Sequence, residues 1–134
     1  MRASEEARTL LVMAGKDLQT VQGMRDAELF PTETFGFHVQ QAVEKSLRAW
    51  LCIVGATYPK IHDLDELDAL LNDAGQDLPE EFEPLLTYTD FATTFRYDAY
   101  PNLGGELDRA DVSSRVERLV SHVRALLDEA ERTG

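Results

Sequence analysis

The chain has 134 residues, of which 43% are hydrophobic, so it suits one domain spanning residues 1–134 with its own core and is not a disordered acidic tail. Its formal net charge of −12 disfavours general binding to nucleic-acid phosphates, although it is compatible with a small basic cleft. Cys52 is the only cysteine, so no intrachain disulfide can form. The N-terminus has no apolar signal core, and no apolar run reaches the ~20 residues of a membrane span. We therefore predict a soluble, cytoplasmic protein.

Two helices are predicted in the first half of the chain. The first is expected to be capped by Ser4 and to end before the sequence "AELFPTET". Its apolar positions recur at helical spacing, at Ala7, Leu10, Leu11, Ala14, Leu18 and Val21. The second is predicted to start at Pro31 or Thr32 and to end at Gly55. Apolar residues fill about half of its circumference, so we expect it to lie centrally and to bury Trp50.

Three further helices are predicted in the second half. Asp63 is expected to cap a third helix that ends near Gly75. Pro79 opens a fourth, whose apolar side is predicted to hold Phe82, Leu85, Leu86, Thr89, Ala92 and Phe95. Asp111 is expected to cap a fifth, with an apolar stripe at Val112, Val116, Leu119, Val120, Val123, Leu127 and Ala130. Five helices with short connections predict an all-α, antiparallel up-and-down bundle of four to five helices.

The polar side of the second predicted helix is the first candidate site. His38, Gln41, Lys45 and Arg48 lie within about a quarter of the helix circumference, facing away from the apolar arc. A solvated helix face is the simpler interpretation, since charges on the polar side of a helix are usual. The alternative is a donor-rich surface that binds a phosphate, a nucleotide or a second subunit.

The histidines and the cysteine show no pattern typical of metal or thiol chemistry. His38, His62 and His122 are far apart in sequence and form no H-x-x-x-H or E-x-x-H pair, and the chain has no glycine-rich phosphate loop. We therefore predict no metal and no cofactor. His62 directly precedes the expected Asp63 cap, which favours a structural role, and Cys52 is interpreted as a small buried filler.

The sequence "FRYDAYP" is the second candidate site. Arg96 falls at the end of the fourth predicted helix, where a cation complements the helix dipole. Tyr97 and Tyr100 suit the end of a bundle, with apolar rings and solvated hydroxyls. An arginine flanked by two tyrosines on an irregular loop also fits a ligand clamp.

Three blocks of the sequence together resemble the HEPN domain (higher eukaryotes and prokaryotes nucleotide-binding). These blocks are "FHVQQAVEKSLRAWL", "KIHDLDEL", and "FRYDAYP" before the last helix. The resemblance covers essentially the whole chain. It implies an up-and-down helical bundle, usually a homodimer, often encoded beside a small nucleotidyltransferase in a two-component, toxin–antitoxin-like module.

The resemblance also implies where a catalytic motif would lie. Many relatives are metal-independent ribonucleases or toxins, with an arginine followed after four to six residues by a histidine. Arg96 matches the arginine, but positions 101–103 hold Pro-Asn-Leu where the histidine should stand. Arg115 and His122 satisfy the spacing inside the last helix, later than the family's motif normally falls. We interpret them as a chance match.

The sequence and the resemblance therefore predict an accessory protein that binds a nucleotide, another anion or a partner nucleotidyltransferase. We expect it to lack ribonuclease activity, because the missing histidine is the group best suited to proton transfer. RNA is a less favoured partner, and no membrane partner is expected. One alternative is a ribonuclease toxin that uses Arg115 and His122, or His38 or His62 from another helix. Another is a purely structural dimerisation partner. The predicted ligand-binding residues are Arg96, Tyr97, Tyr100, His38, Gln41, Lys45, Arg48 and His62.

Overall fold

The computed structural model describes residues 2–58, 60–92 and 108–133, and in these ranges the chain is helical without any strand. It forms α1 (Arg2–Gly23), α2 (Thr32–Ile53), α3 (Leu64–Asp73), a 3₁₀ helix (Glu80–Ala92) and α4 (Arg109–Thr133). The helices pack against one another, which confirms the predicted all-α bundle. None of them combines the length and apolarity needed to cross a membrane.

Helix α2 lies at the centre of the bundle. It contacts α1, α3, α4 and the 3₁₀ helix, and both its apolar and most of its polar side chains are buried or partly buried. Trp50 is only 2% exposed, as predicted, and its Nε1–H donates to Gln76 Oε1 at 3.1 Å. The wide apolar arc seen in the sequence thus reflects packing against several neighbours at once.

Several helix ends follow local rules that the sequence shows. The Asp63 side chain accepts hydrogen bonds from the backbone N–H groups of Asp65 and Glu66, at 2.9 and 3.3 Å, and so caps α3 as predicted. Gly55 and Gly75 follow α2 and α3 with φ of 77° and 81°. In both cases the glycine and the next residue donate back to carbonyls of the last helical turn, the arrangement that favours glycine at this position.

Two predicted caps were wrong. Helix α1 already begins at Arg2, so Ser4 lies within its first turn. Helix α4 begins at Arg109, and the residue that caps it is Asp108, whose Oδ1 accepts from the Asp111 N–H at 3.1 Å. Asp111 instead occupies the first turn, where a carboxylate interacts favourably with the N-terminal end of the helix dipole.

The segment predicted as a fourth α-helix is a 3₁₀ helix instead. Its buried residues repeat every three positions, at Phe82, Leu85, Tyr88 and Phe91, rather than at the α-helical spacing that was predicted. Pro84 lies inside the segment and has no N–H to donate to a preceding carbonyl. A repeat of three places one apolar row on one side of a 3₁₀ helix, and this row packs on α2 and α4.

Gly36 permits the close approach of the 3₁₀ helix to α2. A Cβ atom added at Gly36 would lie 2.3 Å from Cδ1 of Phe91, which is buried. The Phe91 ring therefore packs directly against the backbone of α2, at a position where any larger residue would displace it.

The environment of Asp68, on α3, disfavours its charge. One of its carboxylate oxygens is buried and has no hydrogen-bond donor among the described residues. Burial raises the pKa of Asp68 above its usual value of 3.8, and the nearby carboxylates of Glu83 and Asp65 raise it further.

We expect Gly36→Ala to lower the free energy of unfolding by about 1–3 kcal/mol, because the new methyl group overlaps the Phe91 ring. Gly15→Ala is the matched control. A Cβ at Gly15 has as its nearest neighbour Arg124 Nη2 at 3.8 Å, so this change should instead stabilise α1 by roughly 0.5–1 kcal/mol. Urea unfolding of both variants checks this. Equal effects of the two substitutions would contradict the close contact.

We expect Asp68→Asn to raise the free energy of unfolding at pH 7 by less than about 1 kcal/mol, since the side chain is only partly buried. The folded-state pKa of Asp68 is raised, so its ionisation costs stability as pH rises through that pKa and costs nothing below the unfolded value. The gain should therefore shrink below about pH 4. Asp77→Asn, at an exposed loop position, controls for the loss of one negative charge. A gain that is the same at pH 3 and pH 7 would be inconsistent with this origin.

Candidate functional site

The polar residues of α2 do not form an open solvated face. His38, Lys45 and Arg48 are only 17–28% exposed, and Gln41 is also partly buried. The structure divides the group between two clusters of hydrogen bonds, one against α1 and one against the loop that leads into α3. The interpretation of these residues as a solvated helix face is therefore wrong, because their side chains are partly buried.

The first cluster joins α2 to α1 through Asp17. The carboxylate of Asp17 accepts from Lys45 Nζ at 2.6 Å and from His38 Nδ1 at 3.2 Å. Its side chain is 13% exposed, so it is partly desolvated and both contacts stabilise its charge. His38 and Lys45 therefore serve first to hold α1 against α2.

The second cluster is centred on the buried carboxylate of Glu44. Gln40, Glu44 and Arg48 stand four residues apart on one face of α2. Glu44, whose side chain is 4% exposed, accepts from Gln40 Nε2 at 2.8 Å, and it lies 3.1 Å from Arg48 Nη2. A third donor comes from the next loop, where His62 Nδ1 lies 2.9 Å from Glu44 Oε1. We call these four residues the Glu44 cluster.

The Glu44 cluster also holds the backbone of the loop. Arg48 Nη2 donates to the Ile61 carbonyl at 2.7 Å, and Gln40 Nε2 donates to the His62 carbonyl at 3.0 Å. Gln41 supports this arrangement by donating to Gln40 Oε1 at 2.7 Å, which leaves the Gln40 amide nitrogen free to act as the donor. Two successive carbonyls are thus fixed immediately before the cap of α3.

His62 has the orientation of a general base. Its Nδ1–H points to the buried Glu44 carboxylate, so the tautomer with an unprotonated Nε2 is favoured. The side chain is 55% exposed, and its Nε2 has no hydrogen-bond partner in the described part of the chain. A carboxylate–histidine pair of this kind can accept a proton from a bound substrate.

Cys52 and Tyr58 lie beside this cluster and are not activated groups. The Cys52 Sγ and Tyr58 hydroxyl oxygen are 3.7 Å apart, and the Tyr58 hydroxyl donates to Glu6 Oε1 at 3.3 Å. Burial raises the pKa of the Cys52 thiol, which disfavours the thiolate. Burial likewise raises the pKa of Tyr58, even though the Arg48 guanidinium lies 5.7 Å from its ring centroid.

Arg115 and His122, which both lie on α4, contact different partners. Arg115 Nε lies 3.1 Å from Asp111 Oδ2, and its Nη1 donates to the Glu81 carbonyl at 2.7 Å. The His122 ring packs against the rings of Trp50 and Phe82, with centroid distances of 5.1 and 5.9 Å. One residue of the formal motif therefore joins α4 to the 3₁₀ helix, and the other contributes to aromatic packing.

The predicted clamp of Arg96, Tyr97 and Tyr100 lies outside the described residues. Within the ranges that are described, no three or more His, Cys, Asp or Glu side chains are grouped so as to hold a metal ion. Among the described residues, the candidate site therefore consists of the polar residues of α2 and their partners.

Four carboxyl and amide side chains organise the polar contacts of α2, and the sequence analysis identified only Gln41 among them. Asp17, Gln40 and Glu44 were not singled out, although they hold every predicted polar residue of α2 in place. One signal was available. Gln40 and Glu44 are polar residues on a helix predicted to be central, at the four-residue spacing that leads to Arg48. The pairing with Asp17, by contrast, joins residues far apart in sequence.

Comparison with known families gives a match over nearly the whole chain. The sequence profile described as the HEPN domain matches residues 7–133, nearly the whole chain. No curated protein and no solved structure gave a significant match. Both the "QQAVEKSLRAWL" and the "HDL" blocks fall inside the matched range.

We expect Glu44→Ala to lower the free energy of unfolding by about 3 kcal/mol, because it removes the buried acceptor and leaves Arg48 and His62 without their partner. Glu117→Ala, which removes an exposed glutamate from α4, is the control and should change stability by no more than about 0.5 kcal/mol. Denaturant unfolding measures both. If the two variants were equally stable, the Glu44 cluster would not be an important contact of the fold.

Proposed function

Because the chain belongs to the HEPN domain family, we propose that it is an accessory member that binds a nucleotide or a similar small anion and does not cleave RNA. The fold itself does not carry this function, since related folds serve different chemistries. The proposal rests on what the histidines and arginines of this chain contact.

The observation that carries the proposal is that each histidine has a structural partner. His38 contacts Asp17, His62 contacts Glu44, and His122 packs between Trp50 and Phe82. The family's ribonuclease motif needs a histidine after its arginine, and the positions that follow Arg96 at that spacing hold none. A metal-independent cleavage of RNA needs a group that moves a proton near neutral pH. The contacts of His38 and His122, and the absence of a histidine after Arg96, support a protein that binds without cleaving.

The anion is assigned to Arg96, Tyr97 and Tyr100. The assignment rests on sequence, since a guanidinium supplies planar, permanently charged donors and tyrosine rings supply stacking faces for a base. His38, Gln41, Lys45, Arg48 and His62 are a secondary assignment for the same ligand. The contacts of these five residues with Asp17, Gln40, Glu44 and Ile61 favour a supporting role.

The proposed setting is a homodimer in the cytoplasm that acts with a nucleotidyltransferase in a two-component, toxin–antitoxin-like module. Family membership supports the homodimer, because HEPN domains often form dimers. If the chain binds no nucleotide, the proposal reduces to a structural role as the dimerisation partner of that enzyme.

One observation favours a second candidate function, a metal-independent ribonuclease. The exposed imidazole of His62 is oriented by the buried Glu44, and Arg48 lies beside it. A general base of this kind can activate the 2′-hydroxyl of RNA without any further nucleophile from the protein. The net charge of −12 opposes the capture of a long polyanion more than that of a single nucleotide.

We expect purified protein to leave mixed cellular RNA intact and to bind ATP with a dissociation constant on the order of 1 mM or lower. Gel analysis of the RNA and calorimetric titration with ATP are the measurements. Arg96→Ala should abolish ATP binding, whereas Arg132→Ala, at an exposed position near the end of α4, should not change it.

Cleavage of RNA would overturn the main proposal, and the variants would then identify the base. Loss of cleavage in His62→Asn indicates the Glu44–His62 pair, and loss in His122→Ala or Arg115→Ala indicates the motif on α4. Intact RNA together with no ATP binding at millimolar concentration would leave the structural-partner role.

A further inference from the structure

The 3₁₀ helix Glu80–Ala92 is unusually long for its type. Runs of more than three or four residues are uncommon, because the hydrogen bonds of a 3₁₀ helix have poorer geometry than those of an α-helix. The 13 residues in this form therefore need contacts with the rest of the fold to hold them. The segment lies against α2, α3 and α4, and different contacts hold its two halves.

The first half is anchored to α4. Pro84 has no N–H, so the carbonyl of Glu81, three residues earlier, cannot accept the usual 3₁₀ hydrogen bond. That carbonyl accepts instead from Arg115 Nη1 at 2.7 Å, and the Glu81 carboxylate accepts from Arg118 Nε at 2.6 Å. The residues up to Pro84 are therefore held by α4, whatever form the later residues take.

The second half is held by contacts of Thr89 and Phe91. The Thr89 hydroxyl accepts from the Leu64 N–H, in the first turn of α3, at 2.9 Å. The Phe91 ring packs on Gly36 of α2 and stacks with the Tyr88 ring at a centroid distance of 5.5 Å. The burial of both rings depends on the 3₁₀ period of three residues, which directs them to one side of the segment.

The sequence of this second half also suits an α-helix. Proline is favoured as the first residue of an α-helix, and preceding glutamates stabilise that end, so an α-helix can begin at Pro84. At 100° per residue, Leu85, Leu86 and Thr89 fall within an arc of about 100°, the width of a typical apolar helix face. Phe91 lies about 120° from Leu85 in that form, outside the arc. The α form therefore has an apolar side of its own and turns Phe91 away from α2.

We propose that residues 84–92 exchange between the 3₁₀ helix and an α-helix that begins at Pro84, and that the contact of Phe91 with Gly36 selects the 3₁₀ form. The 3₁₀ form is the major one because it buries the Tyr88 and Phe91 rings, which are 6% and 1% exposed. Conversion to the α form shortens this range by about 4 Å, since the rise per residue falls from about 2.0 to about 1.5 Å.

The exchange couples the surface of α2 to the first turn of α3. In the α form the Phe91 ring no longer covers the α2 backbone at Gly36, and Thr89 no longer accepts from the Leu64 N–H. Leu64 follows the loop that the Glu44 cluster holds, so a ligand that moves this loop and weakens the bond to Thr89 favours the α form. The proposal does not depend on nucleotide binding.

The test is nuclear magnetic resonance of the full-length, isotope-labelled chain. Close contacts between the Hα of one residue and the amide proton two residues later identify a 3₁₀ helix, whereas contacts four residues later identify an α-helix. Phe91→Ala removes the ring that selects the 3₁₀ form, so we expect a contact from Leu85 Hα to the Thr89 amide and a rise of at least about tenfold in the α population. Gly36→Ala should act in the same direction, because its methyl group overlaps the Phe91 ring.

Phe82→Ala is the matched control. Phe82 is an equally large aromatic residue of the same 3₁₀ helix and is 3% exposed, but it precedes Pro84 and keeps its place in both forms. Its replacement should lower stability without producing α-helical contacts. The proposal is wrong if neither Phe91→Ala nor Gly36→Ala shows α-helical contacts within residues 84–92. Equal conversion in Phe82→Ala would also overturn it, because a general loosening of the core would then explain the change.

Discussion

A single buried carboxylate constrains how α2, α3 and the loop between them fit together. Glu44 lies in the interior of the bundle, where an unpaired charge would be strongly destabilising. It is compensated by Gln40 and Arg48 from its own helix and by His62 from the loop. Because Gln40 and Arg48 also hold the carbonyls of residues 61 and 62, satisfying the charge fixes the loop. The cap of α3 at Asp63 follows directly from that position.

This constraint gives a physical meaning to two of the sequence blocks that resemble the HEPN domain. The "QQAVEKSLRAWL" block supplies the glutamate, its amide donor and its arginine, and the "IHDL" block supplies the histidine, two carbonyls and the helix cap. Their spacing is required because one block must clamp the other. The residues of these two blocks therefore contribute to the fold, and the question of activity depends on His62 having one imidazole nitrogen exposed.

Features that depend on contacts within a few residues could be predicted from the sequence, whereas contacts between distant residues could not. The ends of α2 and α3 depend on contacts within a few residues, so Asp63, Gly55 and Gly75 were sufficient to place them. The 3₁₀ helix was missed because its period of three differs little from the α-helical period over four buried residues. The polar residues of α2 were found, but their partners were not. Asp17 lies 28 residues from Lys45, and no local pattern records that pairing.

The positions of the cations determine how strongly the acidic composition opposes the binding of a polyanion. Lys45 is paired with Asp17, Arg48 with Glu44 and Arg118 with Glu81. Arg109 is buried, donates to the Met24 carbonyl at 2.9 Å and lies 4.8 Å from the centroid of the Phe35 ring. In the described part of the chain these four positive charges are paired with carboxylates or buried, so they are less available to an approaching polyanion. Binding of RNA by such a surface would need many compensating cations, because each phosphate neutralised requires one. A ligand with one or two charges needs only a single exposed guanidinium, and that difference in number favours a small anion over a nucleic-acid chain.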